Sequence, residues 1–159
     1  GATAVLLTSE DKAKELGLKP KAEIVDYAFT GGDLYEELLL GPAYSIAAVL
    51  KQTGLSIEDI DVFEIHEAFA GQVLANLNAL KSAEWCKKQL GLDKAIGQIP
   101  LEKVNTWGGS LSIGHPFGAT GGRLLTMAAN RLQKGKGKYA LLAACAAGAH
   151  GHAMIIKKY

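Results

Sequence analysis

The chain has 159 residues, enough for one domain that buries a core without staples. Its 48% apolar and 21% charged content is ordinary globular composition, and 17 basic against 16 acidic side chains leave a net charge of +1, which excludes a basic nucleic-acid stripe and an acidic tail. No apolar run approaches the ~18 residues of a membrane span, and two distant cysteines, Cys86 and Cys145, exclude a disulfide framework or a four-cysteine zinc site.

The apolar run Val5–Leu7 reads as a buried strand, and a chain that opens inside a strand reads as a piece of something longer. Ser9 is a good helix N-cap, with Glu10 and Asp11 suited to the positive end of a helix that Gly17 closes. Ala22–Thr30 predicts a second strand, ending at Gly31-Gly32. Pro42 suits a first helical turn, Ala43, Ile46, Ala47 and Leu50 follow at helical spacing, and Gly54 stops that helix. Ser56 caps a short turn carrying Glu58 and Asp59.

Asp61–Ile65 is a short strand of the kind found in a sheet covered on both faces. Phe69, Val73, Leu77 and Leu80 trace one face of a helix. Residues 82–99 read as a surface excursion whose Glu84–Lys88 stretch is an exposed helix. A glycine-rich loop, Gly108–Gly122, leads into a helix over Leu124–Leu132, and Lys134–Lys138 is a polar turn. Tyr139–Cys145 and His152–Lys157 pair most simply as a hairpin. Alternating strands and helices make the fold class α/β.

Three segments place reactive side chains at strand ends or in glycine loops, where function concentrates in α/β folds. They are His66-Glu67-Ala68-Phe69, Gly114-His115-Pro116-Phe117-Gly118 and Cys145-Ala146-Ala147-Gly148. Taken singly each has a bland reading, as a satisfied polar residue, a tight turn or a small core cysteine. His150 and His152, two residues apart and near Cys145, also allow a metal reading, although no second ligand pair has zinc spacing. The glycine loop lacks the Gly-Lys-Ser/Thr ending of a phosphate-binding loop.

In combination these segments are far more specific. Residues 54–61 (Gly-Leu-Ser-Ile-Glu-Asp-Ile-Asp) lead into Phe63–Ala70, and the block Asn105–Arg123 and the ending Cys145–Ala153 follow in order. The chain resembles the C-terminal half of thiolases over essentially its whole length. With His66 where most thiolases have asparagine, and with the Cys-Ala-Ala-Gly ending, it is similar to the β-subunit type of the fatty-acid oxidation trifunctional complex and its bacterial counterparts. The resemblance implies a thiolase-like half-fold, a mixed sheet covered by helices on both faces. Residues 1–20 would end the N-terminal thiolase domain and residues 21–159 would form the C-terminal one.

The resemblance also implies an acyltransferase that cleaves 3-ketoacyl-CoA with free CoA and releases acetyl-CoA. CoA is a substrate there, and no cofactor and no metal are expected. His115 would activate the nucleophilic thiol and face the substrate thioester's oxyanion. Cys145 would protonate the departing enolate and later deprotonate incoming CoA. His66 would stand for the asparagine that holds a water in the enolate oxyanion hole. The Ala147 amide would serve the other oxyanion hole, and Ala68, Phe69 and Gly148 would line the substrate tunnel.

The nucleophile and most of the CoA grip belong to the family's N-terminal half, and Cys86 lacks the expected surroundings. That half is therefore the expected partner, alongside acyl-CoA and CoA, within a homodimer or larger complex and without nucleic acid. A lone half-fold would leave an apolar face uncovered. The compartment would be mitochondrial for a eukaryotic source and cytoplasmic for a bacterial one. A non-catalytic assembly or binding module on the same fold is the competing reading.

Overall fold

A computed structural model describes residues 1–159. In chain order its helices are α1 (Glu10–Glu15), α2 (Gly41–Thr53), α3 (Ala70–Lys81), α4 (Ala83–Leu90), α5 (Ser110–Ile113) and α6 (Thr120–Lys134). Its strands are β1 (Ala22–Gly31), β2 (Val62–Ile65), β3 (Tyr139–Ala146) and β4 (His150–Lys158), in the spatial order β1-β4-β3-β2. β4 runs antiparallel to both β1 and β3, and β2 runs parallel to β3. Two parallel strands require a crossover, and residues 66–138, with four of the six helices, make it.

Strand alternation divides the core into two layers. Phe63, Ile65, Leu141, Ala143, Ala153 and Ile155 face α2 and α3, whose Ile46, Val49, Leu50, Val73, Leu77 and Leu80 close over them. Val62, Ala140, Leu142 and Ile156 face α6 through Leu124, Ala128 and Leu132. The sheet is thus mixed and helix-covered on both faces, as the fold class requires. The start of α2 presses against β4 so closely that a Cβ on Gly151 would meet the Gly41 carbonyl oxygen at 2.1 Å. Glycine at both positions permits that approach.

Expected boundaries recur where local chemistry decides them. The Ser9 hydroxyl accepts from the Lys12 N–H at the start of α1, and Gly17 follows the helix at φ +64°. Pro42 stands in the first turn of α2, and Gly54 ends it at φ +67°. The side chains of Ser56 and Asp59 form a reciprocal capping box.

Four expectations are corrected. Val5, Leu6 and Leu7 are exposed and form no strand, because no strand of this chain lends them a hydrogen-bonding edge. The stretch before Ile99 is not merely a surface excursion. Ser82 caps α4, whose Cys86 is wholly buried, and Ile99 joins the main core. Phe69 is the extended residue ahead of α3 and stays exposed, so only Val73, Leu77 and Leu80 form the buried stripe. The glycine loop contains a short helix, α5. Apolar surface is indeed left uncovered, in part along the edge strand β1, where Ile24, Val25, Tyr27 and Phe29 face solvent.

β2 carries a charge that its hydrophobic run conceals. Glu64 is completely buried and pairs with Arg131 of α6 at 2.5 Å. Arg131 also donates to the carbonyls of Phe63 (3.0 Å) and Lys103 (2.9 Å), so one guanidinium ties α6, β2 and the following loop together. Burial pushes the Glu64 carboxyl upward and the Arg131 charge pulls it back. Arg131→Leu should leave that carboxylate unpaired in the core and lower stability by about 3–5 kcal/mol. Urea unfolding checks this, and the double replacement Glu64→Leu with Arg131→Leu should unfold at higher urea than the single one.

Candidate active site

The site begins where β2 stops. The His66 N–H donates to the Ala143 carbonyl (2.8 Å) and carries the parallel ladder one residue past Ile65. No strand lies on the other edge of β2. Val104 bridges to Phe63 there, and the Asn105 N–H donates to the Phe63 carbonyl (2.9 Å). The side-chain amide of Asn105 then imitates a neighbouring strand. Its Oδ1 accepts from the Ile65 N–H and its Nδ2 donates to the Ile65 carbonyl, both at 2.8 Å. Asn105 stands at φ +47°, a conformation that asparagine tolerates better than most residues.

Glu67 joins this clamp to the glycine loop. Its carboxylate accepts from Asn105 Nδ2 (2.6 Å) and from the Leu111 N–H (3.0 Å). It also lies flat on Gly109, where a Cβ would come within 2.2 Å of it. A side chain at 109 would push the Glu67 carboxylate off its two hydrogen-bond donors.

Two imidazoles meet at this point. The His66 and His115 ring centroids are 4.1 Å apart with a 41° tilt, and Phe117 packs on His115 at 4.7 Å. His66 is buried, with Nδ1 at 2.8 Å from the Ser110 hydroxyl, which also receives a hydrogen bond from Arg123 Nη2 (2.8 Å). Burial first, and then the charges of His115 and Arg123, pull the His66 pKa down to about 4 against a weaker opposing pull from Glu67. Its ring is therefore neutral at pH 7. His115 is exposed, with Nδ1 at 2.7 Å from the Thr120 hydroxyl. That hydroxyl donates to the Pro116 carbonyl (3.2 Å), so the neutral ring keeps its proton on Nδ1 and leaves Nε2 as acceptor.

Cys145 lies on β3, two residues beyond Ala143, at the same end of the sheet as His66. It is buried, and burial pushes its thiol pKa up, so the sulfur keeps its proton at neutral pH. Ala147 and Gly148 form the exposed turn after β3, with Gly148 at φ +87°. Ala68 is half-buried and Phe69 exposed, both between β2 and α3.

The metal reading is corrected. His150 and His152 pair across the ladder with Ala146 and Ala144, whereas Cys145 pairs with Gly151. Alternation puts the histidines and the cysteine on opposite faces of the ribbon, and no metal-holding cluster forms. Sequence reasoning overlooked Asn105, Ser110, Thr120 and Arg123. All four lie inside the Asn105–Arg123 block, but nothing in their spacing says which side chains they reach.

A family model for the thiolase C-terminal domain matches residues 18–158. The chain belongs to the thiolase family. It is 55% identical over all 159 residues to a probable 3-ketoacyl-CoA thiolase of Caenorhabditis elegans, covering 36% of that sequence. It is equally 55% identical to the mitochondrial trifunctional enzyme subunit beta of Bos taurus, covering 34% of it. A 3-ketoacyl-CoA thiolase of Shewanella woodyi is 46% identical over 157 residues. Among solved structures, human mitochondrial 3-ketoacyl-CoA thiolase superposes with a TM-score of 0.77 at 35% identity, over 95% of this chain and 34% of that one. The same human enzyme solved in complex with CoA gives 0.76. The chain spans about a third of the length of these thiolases.

Burial of His66 links this site to stability. A histidine whose folded pKa lies below 6.5 binds its proton more weakly folded than unfolded, so stability falls as pH drops from about 6.5 to about 4. His152, lowered by burial, acts in the same direction, while the raised Glu64 opposes it. The His66 share is read by difference. His66→Asn should flatten the pH dependence of the unfolding free energy between pH 4 and 6.5, and an unchanged slope in urea titrations would contradict the assignment.

Proposed function

We propose that this chain supplies the acid–base half of a 3-ketoacyl-CoA thiolase, the nucleophilic cysteine coming from an N-terminal thiolase half. The observation that carries the reading is the meeting of two imidazoles, one of them neutral by burial, at the sheet end that also holds a thiol kept protonated by burial. Carbon–carbon cleavage needs an acid to quench the carbanion and a base to activate the next thiol. In this reading the nucleophile's thiolate attacks the keto carbon of the 3-ketoacyl-CoA. The bond between C2 and C3 breaks, and its electron pair becomes the acetyl-CoA enolate. The Cys145 S–H protonates C2 and acetyl-CoA leaves. Incoming CoA gives its thiol proton to the Cys145 thiolate, and its sulfur takes the acyl group from the enzyme.

The free Nε2 of His115 accepts the nucleophile's proton and then faces the thioester oxyanion, which the Ala147 amide also serves. The His66 ring faces the enolate oxygen through a water. Ala68, Phe69 and Gly148 flank the bound CoA thioester, and CoA acts as substrate without a further cofactor. The names of the C. elegans and mammalian relatives support β-oxidation of fatty acids as the setting. The mammalian name supports a mitochondrial location for a eukaryotic source. A cytoplasmic location for a bacterial source, and a homodimer or larger complex, belong to the same proposal.

The test is reconstitution. The lone chain should give no thiolysis of acetoacetyl-CoA above background, and adding a thiolase N-terminal half should restore it. In the restored enzyme Cys145→Ala and His115→Ala should each lower kcat by about 10²–10⁴-fold, whereas His66→Asn should be the mildest of the three. Turnover by the lone chain, or full activity of Cys145→Ala, would overturn the reading. Persistent silence after reconstitution would favour a non-catalytic module on the same fold.

A further inference from the structure

Ser110 and Arg123 stand outside the chemistry just described, yet they determine what His66 can do in it. The Ser110 hydroxyl sits at the start of α5, buried, with two nitrogen partners at 2.8 Å, His66 Nδ1 and Arg123 Nη2. A guanidinium only donates, so one lone pair of the oxygen is occupied by Arg123. The hydroxyl proton then has a single acceptor within reach, the Nδ1 of His66. Were His66 to carry its proton on Nδ1, Ser110 would receive two N–H groups and its own proton would be buried without a partner, a costly arrangement.

We infer that Ser110, polarised in one sense by Arg123, is a positioning residue that locks His66 in the tautomer with its proton on Nε2. This inference rests on the thiolase reading for its purpose, although the lock itself is a property of the chain alone. The consequence concerns the histidine that replaces asparagine. An asparagine amide always offers an N–H, whereas an imidazole offers one on a given nitrogen only if its tautomer is fixed. Ser110 and Arg123 restore that certainty: Nδ1 is held as acceptor, and Nε2–H is the donor left to hold a water or an enolate oxygen.

The surroundings oppose the alternatives. Every element packed on the ring contributes. The β2–α3 turn brings Glu67, which is already occupied by Asn105 and Leu111. The glycine loop brings His115, α6 brings Arg123, and the Ala143 carbonyl of β3 holds the His66 N–H. A second proton on His66 would face the Arg123 charge and have no acceptor at Nδ1, in keeping with the lowered pKa of this ring.

Long-range proton–nitrogen spectra of the chain with ¹⁵N-labelled histidine read the tautomer directly, with His66→Asn assigning the signals. The expected result is a pyridine-like Nδ1 and a pyrrole-like Nε2 on His66. Ser110→Ala and Arg123→Met should each bring in the Nδ1–H form and move the His66 pKa toward 6.5, and Ser110→Thr should restore the wild-type pattern. A protonated Nδ1 in the wild type, or a pattern indifferent to Ser110→Ala, would overturn the lock. A kinetic arm uses the enzyme reconstituted with its N-terminal half. There Ser110→Ala should lower kcat about five-fold more with histidine at 66 than in the His66→Asn background, the order of one hydrogen bond. Equal losses in the two backgrounds would assign Ser110 a merely structural role and overturn the inference. Silence of the reconstituted enzyme with the expected spectra would instead count against the thiolase reading and leave the lock standing.

Discussion

Everything at the site depends on how β2 ends. Its backbone is gripped on both edges at Ile65, by β3 on one side and by the side-chain amide of Asn105 on the other. A two-point amide grip does what a fifth strand would do, but with one residue. It also leaves the next two residues free to turn out of the sheet. His66 and Glu67 leave that grip in fixed directions, and Glu67 passes the constraint on to the glycine loop through Asn105, Leu111 and the bare backbone of Gly109. The loop in turn delivers Ser110 and His115, and α6 delivers Thr120 and Arg123. The chain of dependence runs from one asparagine to two imidazoles.

The two histidines diverge because one is buried and the other is not. His66 has lost its water and sits near a guanidinium, so its neutral form is favoured and its hydrogen bonding is dictated by neighbours. His115 remains open on the rim, and only its Nδ1 is committed, to Thr120. The same desolvation acts with opposite chemical effect on Cys145, raising its pKa so that the thiol stays a proton donor. Desolvation thus prepares a neutral imidazole and a neutral acid at the same end of one sheet. Such divergence between neighbouring titratable groups is a common signature of acid–base sites.

The site is stiffened from behind by an interaction that carries no chemistry of its own. Glu64 and Arg131 cross from β2 to α6 beneath the His66 turn, and Arg131 extends to Lys103, close to Asn105. Buried ion pairs are weak stabilisers compared with apolar packing but are intolerant of misregister. Here one holds the crossover helix, the second strand and the start of the clamp in a single arrangement.

Local chemistry was legible in the sequence: the caps at Ser9 and Ser56, the helix stops at Gly17 and Gly54, the α/β alternation, and the three segments around His66, His115 and Cys145. These are decided by residues a few positions apart, so a one-dimensional pattern contains them. The family likeness was legible for the same reason, since long ordered blocks persist in sequence. Other features required the folded chain. Val5–Leu7 has strand composition and no strand, because pairing depends on a neighbour's backbone. Cys86 sits among charged residues and is buried, because α4 turns that one position inward. The metal reading failed on strand parity, which register alone decides. Asn105, Ser110 and Arg123 act on residues 40, 44 and 13 positions away, at Ile65, His66 and Ser110. A side chain's hydrogen-bonding sense is set by whichever partners the fold brings to it, and no sequence spacing encodes that.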